Sequence, residues 1–369
     1  MSSAGKLGPV LMLFALILLS SASAEEEDYE ESLDIVFGKK ESTPLTTRTP
    51  ETTTTTTTTT KQPLTQVKRC GMFKENVCVK RTECAETASN VRKIIINLRE
   101  SSSTCHYLEA CCRPEDRHKD IINREPTTDN SQCGVSNVDG IYMTVRGGSL
   151  QTSFGEYPWV VALFNDKHNF VCTATLIAYD VVLTTGTCVD GEGQLTVKAG
   201  DWDLMTEKEF VGHVSLRVKT PILHEKFNWD SAQNNIALLI LESSFPTLRH
   251  ITPICLHDGD TEIFYEKCFI TGWKSRSIGQ WRDIVVKVDM AIDSGSCSVN
   301  SISTEICAIE NSTEPIYARG APLVCPTDTS IHHLIGAWST RTNGKTHFTD
   351  VRQYCRWIRN KVKPFGIFI

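Results

Sequence analysis

The sequence predicts a mainly β protein, with a small disulfide-rich module ahead of it and one helix at its end. Three observations support this prediction. Short apolar runs separated by turn residues follow Cys133, six closely spaced cysteines precede it, and an apolar pattern of helical period lies near the C-terminus. Many short strands with turn signals between them are typical of an all-β barrel or sandwich.

The composition and the N-terminus predict a secreted protein. The 369 residues include 15 cysteines, with 38 basic and 44 acidic residues. So many cysteines favour an oxidising compartment, and a net charge of −6 argues against nucleic-acid binding. Residues 1–24 join Lys6, the apolar run Val10–Leu19 and the small residues Ala22–Ala24, a pattern typical of a signal peptide. The apolar run is shorter than the ~20 residues that span a membrane.

Residues 25–69 predict a disordered stalk. The segment opens with an acidic run and continues into a Thr/Pro tract that contains nine consecutive threonines, Thr52–Thr60. It has too little apolar surface to offset the entropy of ordering. In a secreted chain this composition indicates either a mucin-like stalk with O-glycans or an undecorated polar linker.

Residues 70–112 predict a module held together by disulfides. Its cysteines are Cys70, Cys78, Cys84, Cys105, Cys111 and Cys112. A module this small needs covalent staples, and six cysteines allow 15 pairings. A zinc site is the alternative, although the spacing contains no CxxC or HxxxH pair. Residues 113–132 are polar and charged, and predict a linker whose basic residues a trypsin-like protease can cut.

Residues 133–369 are predicted to form short strands followed by one helix. The helix is indicated by the apolar spacing of Val351, Tyr354, Cys355, Ile358 and Val362, with Thr349 or Asp350 as its cap. The predicted strands are Trp159–Phe164, Val171–Ile177, Val181–Thr185, Leu195–Ala199, Val214–Val218, Ile236–Leu241, Cys268–Trp273, Ile284–Ile292, Leu323–Cys325 and Leu334–Trp338.

Ordered landmarks in this segment resemble a chymotrypsin-type serine protease. They are Gly155–Trp159, Cys172 with Cys188, Ile236–Leu239, Thr271–Trp273, Pro322–Cys325 and a closing helix with Trp357. The resemblance implies a two-barrel domain with a C-terminal helix. The six-cysteine module resembles an arthropod clip domain, and Cys133–Asn137 looks most like the start of non-catalytic clip-domain serine protease homologues.

All three catalytic positions of that family are substituted. A serine protease needs a hydroxyl nucleophile, an imidazole base and a carboxylate that orients the base. In this sequence Thr187 stands at the His position, Asn235 at the Asp position and Arg319 at the Ser position. Threonine is no base near neutral pH, an amide carries no charge, and a protonated guanidinium is no nucleophile. The resemblance therefore predicts a pseudoprotease with no catalytic residue.

The oxyanion hole and the activation switch are also substituted. Tyr317 replaces a glycine whose N–H helps form the oxyanion hole in the family, and Ala318 replaces the Asp that pairs with the new N-terminus. The stretch that matches the family's cleaved N-terminus is Arg146–Ser149. We therefore expect no transition from zymogen to enzyme.

The specificity pocket is altered in the same way. By counting, its base falls at Thr313 and the strand residue opposite is Ser339. The disulfide that often staples this pocket would join positions near Pro315 and Thr342, neither of which is a cysteine. Asn311 begins an N-glycosylation sequon at the same rim.

The resemblance also implies a disulfide pattern that accounts for 14 of the 15 cysteines. The remaining thiol is Cys355, which lies on the apolar face of the predicted helix; it is either a buried free cysteine or a bridge between two chains. The implied pairs are Cys70–Cys111, Cys78–Cys105, Cys84–Cys112, Cys133–Cys255, Cys172–Cys188, Cys268–Cys325 and Cys297–Cys307.

The function implied by the resemblance is that of a secreted, extracellular cofactor in a proteolytic cascade such as immune melanisation. Its expected partners are extracellular proteins, either catalytic clip proteases or prophenoloxidase, with no cofactor, metal, nucleic acid or membrane span. The alternatives are an extracellular adhesion or matrix protein and a binding protein of reproductive fluid. An active serine endopeptidase is the remaining alternative, and the substituted triad argues against it.

Overall fold

The computed structural model describes residues 68–84, 94–98, 104–117, 132–146, 148, 150–257, 259, 261–274, 283–293, 304–312 and 318–369. The predicted signal peptide lies outside these residues, and so does the predicted stalk except for Lys68 and Arg69. Every described residue belongs to one compact unit, Thr65–Ile369.

The first part of the described chain, residues 68–84, 94–98 and 104–117, contains the six cysteines of the predicted clip domain 70–112 and is called the clip module. Three of its strands form one antiparallel sheet in the order β1-β2-β4, and 3-10 turns cover Arg81–Glu83 and Pro114–Asp116. The second turn lies in the segment that the sequence assigned to the linker. The strands of this module are β1 (Arg69–Cys70), β2 (Asn76–Lys80), β3 (Ile94–Asn97) and β4 (Glu109–Cys112).

The remaining strand of the clip module, β3, pairs outside the module. It runs parallel to β5 (Met143–Arg146), with Ile94 opposite Met143 and Asn97 opposite Arg146. The Ile96 side chain, which is 2% exposed, joins an apolar cluster that contains Met143 and residues of the protease-like domain. The clip module therefore shares a core with the segment that leads into the barrels.

The first barrel is closed by six antiparallel strands in the order β10-β11-β8-β7-β6-β9. Its inner side chains are small and branched apolar residues such as Val161, Leu176 and Leu239, all fully buried. Continuous apolar strands are expected where both faces are covered. The strands are β6 (Val160–Phe164), β7 (Phe170–Ala178), β8 (Val181–Thr184), β9 (Thr196–Ala199), β10 (Val214–Leu223) and β11 (Ala237–Leu241).

A second ring of six strands runs β13-β14-β15-β18-β17-β16 and closes through the β16–β13 pairing. The short strand β12 adds to β17 in parallel. Trp159, Trp273 and Leu334 belong to the apolar cluster that packs between the two rings. The strands are β12 (Cys255–Leu256), β13 (Phe269–Gly272), β14 (Val286–Asp293), β15 (Glu305–Glu310), β16 (Pro322–Pro326), β17 (His332–Thr342) and β18 (Lys345–Asp350).

The chain ends in helix α1 (Cys355–Val362), which follows a 3-10 turn over Val351–Tyr354. The Asp350 carboxylate accepts a hydrogen bond from the N–H of Arg352 at 3.2 Å, so Asp350 caps this turn. No helix among the described residues is long and apolar enough to cross a membrane. The prediction of a mainly β, two-barrel domain that ends in a helix is confirmed.

Six disulfides join described cysteines, and all six are pairs that the family resemblance implies. Cys307 is also disulfide-bonded, whereas Cys297, its expected partner, lies outside the described residues. The six bonds are Cys70–Cys111, Cys78–Cys105, Cys84–Cys112, Cys133–Cys255, Cys172–Cys188 and Cys268–Cys325.

Candidate functional site

Thr187 lies in the 3-10 turn Gly186–Cys188, directly after β8. The Cys172–Cys188 disulfide ties this turn to β7. Gly186 is packed against the ring of Phe227 so closely that a Cβ there would lie 3.0 Å from it. The disulfide and this close approach hold the backbone of Thr187, the residue predicted to stand at the family's base position.

The Asn235 side chain is fully buried and is a hydrogen-bonding junction between the barrels. Its Oδ1 accepts the N–H of Thr187 at 3.0 Å, and its Nδ2 donates to Ser339 Oγ at 2.8 Å. The hydroxyl of Thr349 donates to the Asn235 backbone carbonyl at 2.8 Å. A buried amide is stable here because its donor and acceptor both have partners. The junction carries no charge that could orient or stabilise an imidazolium.

Arg319 lies in a tight loop that follows buried Ala318. Gly320 has φ +75 and a Cβ there would lie 2.2 Å from the carbonyl oxygen of Thr173, so the loop requires glycine. The Arg319 carbonyl accepts the N–H of Thr173 at 3.0 Å. Burial lowers the pKa of the Arg319 guanidinium, and the negative charge of Glu192 opposes that change. Arg319 thus places a cation at the predicted nucleophile position.

The structure brings Thr187 and Asn235 into direct contact, whereas the described interactions of Arg319 are with other residues. Its backbone binds Thr173 and its charge interacts with Glu192, which lies five residues after Thr187 in the sequence. Among the described residues, the three positions form no chain of hydrogen bonds from side chain to side chain. Such a chain is what a nucleophile and base require.

Both expected ends of the activation switch have other roles. Ala318 is 2% exposed and belongs to the apolar cluster of the second barrel, together with Leu323 and Trp338. Arg146 is exposed and ends β5, where its carbonyl accepts the N–H of Leu98. Neither position offers the charge that a buried N-terminal ammonium needs.

The strands around the expected specificity pocket carry an ion pair. Arg341 on β17 places Nη1 2.6 Å from Glu310 Oε2 on β15, and Thr346 Oγ1 on β18 donates to Glu310 Oε1 at 3.0 Å. The expected pocket residue Ser339 accepts the Asn235 amide, so its hydroxyl is directed towards the triad position. The place of Ser339 in a pocket stays a prediction, whereas the ion pair is a feature that counting along the sequence did not indicate.

The clip module contacts the loop that joins β9 and β10. The Tyr107 hydroxyl donates to Asp203 Oδ2, and Lys208 Nζ lies 2.5 Å from Glu109 Oε1. Lys80 Nζ donates to the backbone carbonyl of Glu209 at 3.0 Å. Burial, reinforced by the charge of Asp201, raises the pKa of the Glu209 carboxyl to about 8. The clip module thus rests on an acidic loop in which the Glu209 carboxyl has a raised pKa.

The other expected site residues are placed as follows. Cys355 is a buried thiol, 8% exposed, and its Sγ donates to the His257 carbonyl at 3.3 Å. Asn311 is exposed just after β15. Its glycosylation stays a prediction. Thr313, Pro315 and Tyr317 lie outside the described residues.

Two features of the site were missed from the sequence. The Asn235 junction depends on Ser339, which is 104 residues away, and its pattern indicated only a lost carboxylate. The Glu310–Arg341 pair joins two charged residues that no sequence pattern singled out. The one available signal was that Glu310 lies two residues after Ala308, because alternate residues of a strand share a face.

The fold defines a two-barrel domain of the chymotrypsin type. The protein family described as Trypsin matches residues 146–358, and the chain belongs to this family. Within it the chain is a clip-domain serine protease homologue.

The similar relatives agree with this assignment. "Inactive CLIP domain-containing serine protease A28" of Anopheles gambiae is 25% identical over 299 residues, which cover 69% of this chain and 77% of the relative. "Inactive CLIP domain-containing serine protease A8" of the same species is 23% identical over 78% of this chain and 87% of its own length. "Phenoloxidase-activating factor 2" of Galleria mellonella is 28% identical over 68% of this chain and 96% of its own length.

Proposed function

We propose that this chain is a secreted, catalytically inactive serine protease homologue that acts by binding proteins of an extracellular proteolytic cascade. Innate immune melanisation is the cascade, and a catalytic clip protease or prophenoloxidase is the partner. The names of the relatives support this choice, since two are called inactive and one a phenoloxidase-activating factor.

The observation that carries the proposal is the Asn235 junction. Its amide bonds to the Thr187 backbone and to Ser339, so the former catalytic region serves to hold the two barrels together. A residual enzyme would keep a polarised route from base to nucleophile. The retained fold without that route supports a role in binding.

A test of inactivity uses the purified full chain with broad peptide substrates and a serine-directed fluorophosphonate probe. We expect no turnover and no labelling, before and after treatment with trypsin. Thr187→Ala and Arg319→Ala are the matched variants, because each removes one former catalytic position. Turnover by the native chain that either variant abolishes would contradict the proposal.

A test of the cascade role adds the chain to a purified clip protease and prophenoloxidase. We expect it to raise phenoloxidase activity, and Arg319→Ala to raise it equally, because the side chain at the former nucleophile takes no part in catalysis. Albumin at equal concentration is the control. Equal phenoloxidase activity with the chain and with albumin would exclude this cascade and leave adhesion or reproductive-fluid binding to be tested by tissue of expression.

A further inference from the structure

The hairpin that opens the clip module carries two exposed apolar side chains. Strands β1 and β2 bring Cys70 opposite Asn76, and residues 71–75, the clip loop, join them. Met72 and Phe73 in this loop are 89% and 85% exposed. The apolar clusters formed by described residues contain neither side chain. The clip loop therefore presents two adjacent apolar side chains to the solvent.

A hairpin loop of the same length in the first barrel provides a comparison. Residues 165–169 join β6 to β7 and read NDKHN, which is the polar composition expected of a turn in water. The clip loop reads GMFKE. A five-residue turn therefore does not itself require an apolar pair, and Met72 and Phe73 need another explanation.

The clip loop is held in a fixed shape by its own hydrogen bonds. The Lys74 N–H donates to the Gly71 carbonyl at 3.2 Å, and the Phe73 N–H donates to Glu75 Oε2 at 2.9 Å. The first disulfide of the module ties the base of the loop to β4. Two backbone N–H groups beside the apolar pair thus have partners within the loop, which lowers the cost of moving them into a less polar medium.

Three exposed basic residues flank the apolar pair in the sequence: Lys68, Arg69 and Lys74. Arg69 Nη1 lies 3.5 Å from the carbonyl oxygen of Lys74, which places the guanidinium beside the clip loop. The ion pairs between described residues include none of these three cations. The clip loop itself contains one acidic residue, Glu75, so the apolar pair is surrounded by net positive charge.

We propose that the clip loop binds membranes that contain anionic phospholipids. Met72 and Phe73 enter the interfacial region of the bilayer, and the three flanking cations lie against the lipid phosphates. Apolar side chains combined with basic ones are typical of segments that lie on a membrane without spanning it. Each lysine or arginine near an anionic surface strengthens the attraction.

The small size of the apolar pair favours a bilayer over a protein as its partner. Two side chains bury a few hundred Å², whereas each partner in a stable protein interface buries about 800 Å². A protein partner would also need a pocket of matching shape for the protruding pair. A bilayer needs no such pocket, because its lipids rearrange around the inserted side chains.

Co-sedimentation of the purified full chain with lipid vesicles tests this proposal. We expect binding to phosphatidylcholine vesicles with about 30% phosphatidylglycerol, and at least about 10-fold weaker binding to phosphatidylcholine alone. Phe73→Ala should weaken binding to the anionic vesicles about 10-fold or more, and Lys74→Gln about 5-fold. The matched controls are Phe368→Ala, at a phenylalanine that is 87% exposed, and Lys167→Gln, at an exposed lysine of the polar hairpin loop. Both should bind within about 2-fold of native protein.

A second measurement reports whether the clip loop enters the bilayer. The fluorescence of Phe73→Trp should be quenched by anionic vesicles with brominated acyl chains, whereas native protein should keep its emission. Phe73→Ala and Phe73→Trp should keep the native melting temperature within about 1 °C, because the replaced side chain is exposed.

Four results would overturn the proposal. They are no binding of native protein to anionic vesicles, equal binding by native protein and Phe73→Ala, equal losses in Phe73→Ala and Phe368→Ala, and no quenching of Phe73→Trp. If vesicles do not bind while an immobilised clip protease retains native protein and not Phe73→Ala, the clip loop binds a protein and the membrane proposal is wrong.

Discussion

Glu209 predicts an unusual dependence of stability on pH. Its side chain is 2% exposed, and its pKa is raised from 4.5 to about 8, first by burial and then by the charge of Asp201. Between these two values the folded chain holds a proton that the unfolded chain releases. Stability therefore falls as the pH rises from about 4.5 to about 8, and the contribution is fully present below that interval.

The magnitude follows from the width of this interval. A slope of about 1.4 kcal/mol per pH unit gives roughly 3–5 kcal/mol between the two ends. Glu209→Gln removes the titration and keeps an Oε1 that can accept the Asp203 N–H, which lies 3.3 Å away in the native chain. The variant should match native protein near pH 5 and exceed its free energy of unfolding by several kcal/mol near pH 8.5.

The assay is urea unfolding of the oxidised chain from pH 5 to pH 9, followed by tryptophan fluorescence. Glu207→Gln is the control, because the Glu207 side chain is 76% exposed and lies in the same loop. It should change stability by less than about 1 kcal/mol at every pH. A difference between Glu209→Gln and native protein that is constant over this range would refute the reasoning.

Two further substitutions and one labelling experiment have defined outcomes. Tyr107→Phe removes the hydroxyl that binds Asp203, and it should lower the free energy of unfolding in urea by about 1.5–3 kcal/mol; an unchanged value would mean that this contact contributes nothing. Gly320→Ala forces a Cβ to within 2.2 Å of the Thr173 carbonyl oxygen, so it should cost about 3 kcal/mol or more, and secretion at native yield would contradict this. Cys355 should react with a thiol reagent only after unfolding, and rapid labelling of native protein would show that it is accessible.

The sequence predicted the barrels through their apolar strands and missed the polar ones. Runs such as Ala237–Leu241 are apolar throughout, because both faces of the strand are covered. Strand β18 reads KTHFTD and looks like a loop, yet it is held between β15 and β17 by backbone hydrogen bonds. Strand β3 depends on β5, and no local pattern specifies a partner so far along the chain.

The sequence predicts substituted triad positions, but it does not predict which hydrogen bonds the residues at those positions form. The family pattern predicts that Asn235 stands at the Asp position, because the residues around it keep the family's spacing. The junction it forms arises only when β17 brings Ser339 within 2.8 Å. The Glu310–Arg341 pair is of the same kind, since tertiary packing alone decides which of many charges become neighbours.

Because β3 pairs with β5, cutting the predicted linker does not by itself release the clip module. A protease that cuts the predicted linker, 113–132, breaks the covalent path between the clip module and the barrels. The module remains attached through the β3–β5 hydrogen bonds and the Tyr107–Asp203 and Lys208–Glu109 contacts. After such a cut the molecule is a two-chain complex, and the lifetime of that complex sets how long the clip module stays on the barrels.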